Sequence, residues 1–138
     1  LSIAAGVCYG LGYRDNTISA LISRGVSEIH RLCGAMGGNP KTVNGLSGLG
    51  DLVVTSFSTH SRNRRFGALI AKSSNVSENI KQIGMAVEGV QTAKSIYELS
   101  VKHSINMPIC VEMYNVIYKE KNPLIAISEL MTRELVDE

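Results

Sequence analysis

The chain has 138 residues, of which 44% are hydrophobic, so it can form one domain with a substantial core and is not expected to be disordered. A net charge of +2 argues against a protein-wide role in binding nucleic acid or membrane surfaces. No apolar run approaches the roughly 18 residues of a membrane-spanning helix. Cys8, Cys33 and Cys110 are odd in number and form no CxxC pair, so we expect buried free thiols in a reducing cytosol.

The N-terminal part of the chain is predicted to form two helices. Residues 2–10 are small and apolar, which predicts a helix that packs closely against a neighbour. Apolar residues then recur at threes and fours over about 17–36, which predicts a long amphipathic helix. Asp15 or Asn16 can cap its start, because a short side-chain oxygen accepts from free backbone N–H groups. Glu28 falls on a polar face of this helix.

The middle of the chain contains an element with two alternative interpretations. Asn39-Pro40 opens a short helical turn, and a glycine-rich loop follows. Residues 52–55 are rich in β-branched side chains and predict a short buried strand, with a short helix capped at Asp51 as the alternative. Ser61 is a good N-cap for a helix of about 62–72.

The C-terminal half is predicted to be helical. Its helices are expected at residues 76–83, about 90–102, about 108–119 and about 123–136. An extended piece is expected at 85–88, between the first two of them. The sequence therefore predicts an all-α domain of about six to eight helices, with weak strand signals at 52–55 and 85–88.

Asp51 is the first candidate site residue. It follows Gly45, Gly48 and Gly50, whose G-x-x-G-x-G order is not that of a dinucleotide-binding loop, and no βαβ unit surrounds them. A lone Asp before an apolar run is most often a helix N-cap. The functional alternative is a partly buried carboxylate, kept ionised by a cation, that orients a catalytic lysine or a substrate hydroxyl.

A basic segment, Ser61-Arg62-Asn63-Arg64-Arg65, is the second candidate site. Its three arginines stand at a predicted helix start, where the helix dipole favours anions instead. A bound phosphate would remove this conflict by accepting from free N–H groups, the Ser61 hydroxyl and a guanidinium. The alternatives are a solvated basic face and a nucleic-acid patch, although the segment lacks the interleaved aromatic residues typical of the latter.

The remaining polar candidates give weaker signals. His30, His60 and His103 show no spacing typical of metal ligands, so no metal site is predicted. Glu88 stands before Gly89 without an evident local partner, and its position alone is typical of a cap or turn residue.

Five segments carry a resemblance to a known family: IAAGVCYGLGYRDNT, ALISRGVSEIHRL, GLSGLGDLVVT, SRNRRFG and VEGVQTA. Together they resemble the C-terminal domain of bacterial NAD(P)-dependent glycerol-3-phosphate dehydrogenase over essentially the whole chain. The resemblance implies that residues 1–138 are a helical substrate-binding domain of the type shared with 6-phosphogluconate dehydrogenase, with a short helix at 51–57. It also implies a cytoplasmic homodimer that interconverts sn-glycerol 3-phosphate and dihydroxyacetone phosphate with NAD or NADP, at the entry to glycerophospholipid synthesis.

The resemblance assigns roles to particular residues. Asp51 matches the family's substrate-binding aspartate, which lies next to the catalytic lysine. Ser61, Arg62 and Asn63 match a substrate-binding triplet, and the partner they imply is a small phosphorylated three-carbon compound. Thr55 is carried over only as a neighbour of the site.

The cofactor and the proton donor are implied to lie mostly outside this chain. Arg62, Ala86 and Glu88 match positions that contact the cofactor, Ala86 through its backbone. The family's lysine stands a few residues before the IAAG stretch, whereas this chain begins at Leu1. We therefore expect a longer protein that supplies the lysine and a Rossmann domain, and we expect the chain alone to be folded but inactive.

Two alternatives remain open from the sequence. One is the substrate domain of another hydroxy-acid reductase of the same superfamily, which would lack the phosphate site at residues 61–63. The other is a non-enzymatic helical module that binds RNA or a protein through residues 62–65.

Overall fold

The computed structural model describes residues 1–133, which fold as α-helices without a β-strand. The helices are α1 (Ser2–Gly10), α2 (Asp15–Ala35), a 3₁₀ helix (Pro40–Asn44), a π-helical turn (Leu46–Gly50), α3 (Asp51–Phe57), α4 (Arg62–Ile70), α5 (Val76–Ile83), α6 (Glu88–Lys102), α7 (Pro108–Tyr118) and α8 (Pro123–Thr132). No helix in this part of the chain is long and apolar enough to cross a membrane. The predicted all-α class is confirmed. Of the helix predicted at about 123–136, residues 134–136 lie outside the described residues.

The strand predicted at residues 52–55 is wrong, because this segment forms α3. Leu52 and Ser56 are buried four residues apart, which is one helical turn, while Val53 and Val54 are exposed. β-Propensity measures how a side chain fits a half-buried sheet, and no neighbouring strand among residues 1–133 offers that surface. The short helix at 51–57 implied by the family resemblance is confirmed.

Two further local predictions need correction. The N-cap position of α2 is Arg14, without a side-chain cap, so neither Asp15 nor Asn16 caps this helix. Asp15 is already the first helical residue, where its charge still complements the helix dipole. The polar face predicted for Glu28 is also wrong, because only 1% of this residue is exposed.

The close crossing of α1 and α4 organises the core. At Gly6 an added Cβ would collide with the backbone carbonyl of Arg64, and at Gly67 with that of Ile3. The two backbones are therefore in direct contact, as predicted for a helix of small residues. This crossing fixes the start of α4 against the start of α1, and both helix starts contribute to the pocket described below.

Candidate functional site

An open pocket of about 420 Å³ lies where α1, α2, α3, α4, α6 and α7 meet the π-helical turn. Most of its wall is apolar, and its polar side chains are Ser2, Ser47, Asp51, Asn63, Thr92 and Cys110. The glycines Gly48 and Gly89 also line it. Small-molecule sites are typically apolar clefts with a few polar groups that fix orientation, and this pocket has that character.

Asp51 stands in the pocket wall as the first residue of α3. The N-cap position is Gly50 and no side-chain cap is formed, so the interpretation of Asp51 as an N-cap is wrong. The residue is exposed rather than partly buried, and its carboxylate has no hydrogen-bond partner within residues 1–133. The Thr55 hydroxyl donates to the backbone carbonyl of Asp51 (2.7 Å). The carboxylate is therefore free to meet a ligand or another part of a larger protein.

Ser61 and Asn63 have different environments at the start of α4. The Ser61 hydroxyl oxygen accepts from the backbone N–H of Arg64 (3.2 Å), which confirms Ser61 as the N-cap. Asn63 lines the pocket, and its Oδ1 accepts from the backbone N–H of Gly89 at the start of α6 (3.0 Å). Of the triplet, only Asn63 belongs to the pocket wall.

The three arginines do not form one solvated basic face. Arg64 is 9% exposed, and its guanidinium carbon lies 4.2 Å from the centre of the Tyr9 ring, a cation–π contact. Arg65 is exposed. Arg62 points elsewhere, with Nη2 3.8 Å from Glu88 Oε1. The cluster is therefore divided among three environments, and Arg62 is the arginine whose side chain lies beside Glu88, the residue before the pocket-lining Gly89.

Ala86 and Glu88 are exposed beside the pocket but do not line it. Glu88 begins α6, and 78% of its side-chain surface is open to solvent. At that exposure its contact with Arg62 is screened by water and adds little stability. The predicted site residues thus separate into a pocket pair, Asp51 and Asn63, and a set outside the pocket lining, Ser61, Arg62, Ala86 and Glu88.

Sequence reasoning missed part of the site. Ser2, Ser47 and Thr92 line the pocket, yet sequence reasoning gave none of them a role, although Ser47 and Thr92 fall in the GLSGLGDLVVT and VEGVQTA segments. Gly89 also belongs to the wall, but sequence reasoning noted it only as the residue after Glu88 in the VEGVQTA segment.

The cysteines are free thiols, as predicted, but only Cys8 is buried, whereas Cys33 and Cys110 are half-buried. Burial raises the pKa of Cys8 to about 11 and that of Cys110 to about 12, so both thiols stay protonated near neutral pH. Within residues 1–133, no group of three or more His, Cys, Asp or Glu side chains could hold a metal ion.

The fold and the pocket define an all-α domain with a single carboxylate and a single carboxamide in its pocket wall. Residues 1–128 match the family model described as the C-terminus of NAD-dependent glycerol-3-phosphate dehydrogenase. The chain therefore belongs to this family.

Curated relatives and a solved structure agree with that membership. Glycerol-3-phosphate dehydrogenases (NAD(P)+) of Thermoanaerobacter sp. (strain X514) and Clostridium botulinum (strain Eklund 17B / Type B) are 51% and 49% identical over 134 residues. Each comparison covers 97% of this chain and 41% of the relative. The crystal structure of glycerol-3-phosphate dehydrogenase (gpsA) from Coxiella burnetii is 38% identical with a TM-score of 0.93, over 96% of this chain and 41% of that one. The chain thus spans about two fifths of the length of the proteins it matches.

Proposed function

We propose that this chain is the substrate domain of an oxidoreductase that interconverts sn-glycerol 3-phosphate and dihydroxyacetone phosphate with NAD or NADP. The observation that carries the proposal is the meeting of Asp51 and Asn63 in one pocket. They come from the two segments, GLSGLGDLVVT and SRNRRFG, on which the family resemblance depends most. Family membership and the names of the relatives support the same substrate.

The proposal includes a two-domain protein in which residues 1–138 form the helical half. Leu1 and Ser2 line the same pocket as Asp51, so a lysine a few residues before Leu1 would approach this wall. The relatives are longer than this chain, which leaves room for a cofactor-binding domain. The two-domain protein is further proposed to be a cytoplasmic homodimer, and this part of the proposal rests on the family resemblance alone.

In this arrangement Asp51 holds the lysine as an ammonium group and orients it towards the substrate. A carboxylate close to an amine favours its charged form, and the lysine can then give a proton to the oxygen that becomes the hydroxyl. The bound NADH or NADPH supplies the hydride. In the reverse direction the lysine accepts the proton from the hydroxyl of sn-glycerol 3-phosphate.

The start of α4 is proposed to bind the phosphate group. The first N–H groups of a helix have no acceptor within the helix, so those of Arg62 and Asn63 are available to an anion. The Ser61 hydroxyl can still donate its proton while its oxygen caps the helix. The Arg62 guanidinium adds a charged donor next to the pocket-lining Asn63.

The residues proposed for the cofactor suit a polar ligand that reaches the edge of the pocket. Arg62 and Glu88 are close to each other and open to solvent, so together they offer donors and acceptors to phosphate and ribose hydroxyl groups. Ala86 is exposed one position before Val87, the N-cap residue of α6, and its backbone is proposed to contact the nicotinamide–ribose end.

Replacing Arg62 tests the substrate class in the full-length protein. The Arg62→Ala variant is expected to raise KM for dihydroxyacetone phosphate at least about tenfold, because a hydrogen bond to a charged group is lost. Arg65→Ala is the matched control, since Arg65 is exposed on the same helix, and its KM is expected to stay within about twofold of the wild-type value.

Unphosphorylated dihydroxyacetone separates the alternatives. It is expected to be a poor substrate, and its KM is expected to be nearly the same for Arg62→Ala and the wild type. The reason is that it lacks the phosphate group that Arg62 is proposed to bind. An equal KM for dihydroxyacetone phosphate in Arg62→Ala and wild type would contradict the phosphate site. A salt-dependent RNA affinity lost in both arginine variants would instead favour the RNA-binding alternative.

A further inference from the structure

The side chain of Asn63 on α4 forms a hydrogen bond to the first turn of α6. Gly89 is the second residue of α6, so its N–H has no acceptor within that helix. Val87 at the N-cap position forms no side-chain cap. Asn63 Oδ1, on α4, accepts from the Gly89 N–H at 3.0 Å and therefore caps the start of α6.

This hydrogen bond determines which atom of Asn63 remains available. A side-chain amide has one oxygen, which accepts, and one NH₂ group, which donates. A backbone N–H can donate only to the amide oxygen, so Oδ1 faces Gly89 and Nδ2 points away from the Gly89 N–H. Because Asn63 lines the pocket and its Nδ2 has no hydrogen-bond partner within residues 1–133, Nδ2 is a donor that it can offer to a ligand there.

Residue 89 must be small for this contact to exist. A Cβ added at Gly89 would lie 2.6 Å from Asn63 Oδ1 and 2.9 Å from Ile3 Cδ1. Real Cβ atoms do not approach other atoms this closely, so a larger residue would push the Asn63 side chain or the start of α6 away. Glycine lowers the stability of α6 at this position, but its lack of a side chain allows the close approach of Asn63.

We propose that Gly89 is a positioning residue that holds the Asn63 amide with its NH₂ group available to the pocket. Asn63 then donates to a ligand atom that accepts a hydrogen bond, such as a phosphoryl or carbonyl oxygen. The identity of that ligand as a phosphorylated substrate rests on the proposed function. The contact between Gly89 and Asn63 does not.

Amide hydrogen exchange of Gly89 in the full-length protein tests the contact without any turnover. The Gly89 N–H is expected to exchange at least about tenfold more slowly in the wild type than in Asn63→Ala, because only Asn63 protects it. Asn63→Asp keeps an oxygen in the same place and is expected to retain the protection. Equal exchange in wild type and Asn63→Ala overturns the proposal.

Kinetics with dihydroxyacetone phosphate test the positioning role. Gly89→Ala and Asn63→Ala are each expected to raise KM about tenfold or more, and the double variant by no more than about twofold beyond Asn63→Ala, because both changes remove one interaction. KM effects that multiply in the double variant overturn the proposal. Gly34→Ala is the control, since a Cβ there meets only Pro40 Cγ at 4.0 Å, and its KM should not change.

Asn63→Asp keeps the proposal falsifiable if Gly89→Ala does not fold. It preserves the shape of Asn63 but places a carboxylate oxygen where the NH₂ donor stood. KM is expected to rise further than in Asn63→Ala, because like charges then face each other. A KM equal to the wild-type value overturns the proposal. If the wild type does not reduce dihydroxyacetone phosphate at all, the proposed function fails, and the Gly89 exchange rates still decide the positioning role.

Discussion

Glu28 lies in the core beside the start of α7, and its two carboxylate oxygens accept from backbone N–H groups there. Oε1 accepts from Ile109 (2.7 Å) and Oε2 from Cys110 (3.1 Å). Met107 at the N-cap position of α7 provides no side-chain cap, and Pro108 has no N–H. Burial raises the pKa of Glu28, and the two backbone hydrogen bonds offset only part of that effect. A carboxyl group from α2 therefore caps α7, the helix that carries Met113 into the pocket wall.

The raised pKa of Glu28 predicts how stability changes with pH. Between the unfolded and folded pKa values the folded chain holds more protons, so its stability falls as pH rises. The Glu28 contribution is expected to be complete below the reference value of 4.5 and to decrease as pH rises through the folded pKa. Urea unfolding of the wild-type chain and of Glu28→Gln across this range measures it.

In that experiment Glu28→Gln is the reference, because it has no titrating group at this position. The free energy of unfolding of the wild type minus that of the variant should decrease with increasing pH. A difference that is constant, or that increases with pH, would show that Glu28 has no raised pKa in the folded chain.

The thiols are expected to react at very different rates. The pKa values of about 11 for Cys8 and about 12 for Cys110 leave almost no thiolate at pH 8, and Cys8 is also buried. Cys33 and Cys110 are both half-buried, so it is the raised pKa of Cys110 that leads us to expect iodoacetamide to label Cys33 first. Mass spectrometry of peptides from briefly labelled chain gives the order, with urea-unfolded chain as the control in which all three react. Labelling of Cys110 as fast as that of Cys33 would contradict the account.

At the residue scale, the sequence singled out candidate residues but did not indicate their contacts. Asp51 and Asn63 stand in distinctive motifs and could be singled out, and the pocket contains both. The partner of Asn63 is 26 residues away at Gly89, and the partners of Glu28 lie on another helix. Such contacts depend on how helices pack, which no local pattern encodes, so Glu28 looked like an ordinary polar-face residue.

Among the elements, the pair α1 and α4 matters most for the site. Their backbones touch at Gly6 and Gly67, which places Asn63 of α4 beside Leu1 and Ser2 at the same pocket. Bulk at this crossing would separate the helix starts and therefore the two sides of the pocket.

Gly6→Ala tests the crossing. The added Cβ would collide with the Arg64 carbonyl, and we expect a loss of about 3 kcal/mol in the free energy of unfolding, the upper part of the range for overpacking. Gly34→Ala is a matched control on an exposed part of α2 and should be stabilising by about 0.5–1 kcal/mol. Chemical unfolding of both variants provides the comparison, and similar effects of the two substitutions would contradict close contact between α1 and α4.

At the element scale, caps and breaks explain which helices could be predicted. Ser61, Pro108 and Asn122-Pro123 mark helix starts that the structure confirms, because their chemistry is local. Residues 52–55 misled because β-branched side chains favour strands, while α3 is stabilised by burying the apolar side chain of Leu52. That burial is a tertiary effect and overrides a propensity of less than about 1 kcal/mol per residue.

At the scale of the whole molecule, the chain is an all-α domain with one side of a proposed active site. The all-α class followed from helical periodicity, and the TM-score of 0.93 to the Coxiella burnetii enzyme agrees with it. Asp51 is exposed and its carboxylate has no partner within residues 1–133, and under the proposed function it would meet a lysine from another segment. The Rossmann domain and the lysine remain predictions from the resemblance.

The reduction of dihydroxyacetone phosphate by the full-length protein tests the central claim most directly, followed as oxidation of NADH or NADPH. We expect turnover by the full-length protein and none by residues 1–138 alone. Asp51→Asn in the full-length protein should lower kcat/KM by about a hundredfold or more, the scale of a lost contribution to acid–base catalysis. An inactive full-length protein, turnover by the isolated domain, or an Asp51→Asn variant as active as the wild type would contradict the account.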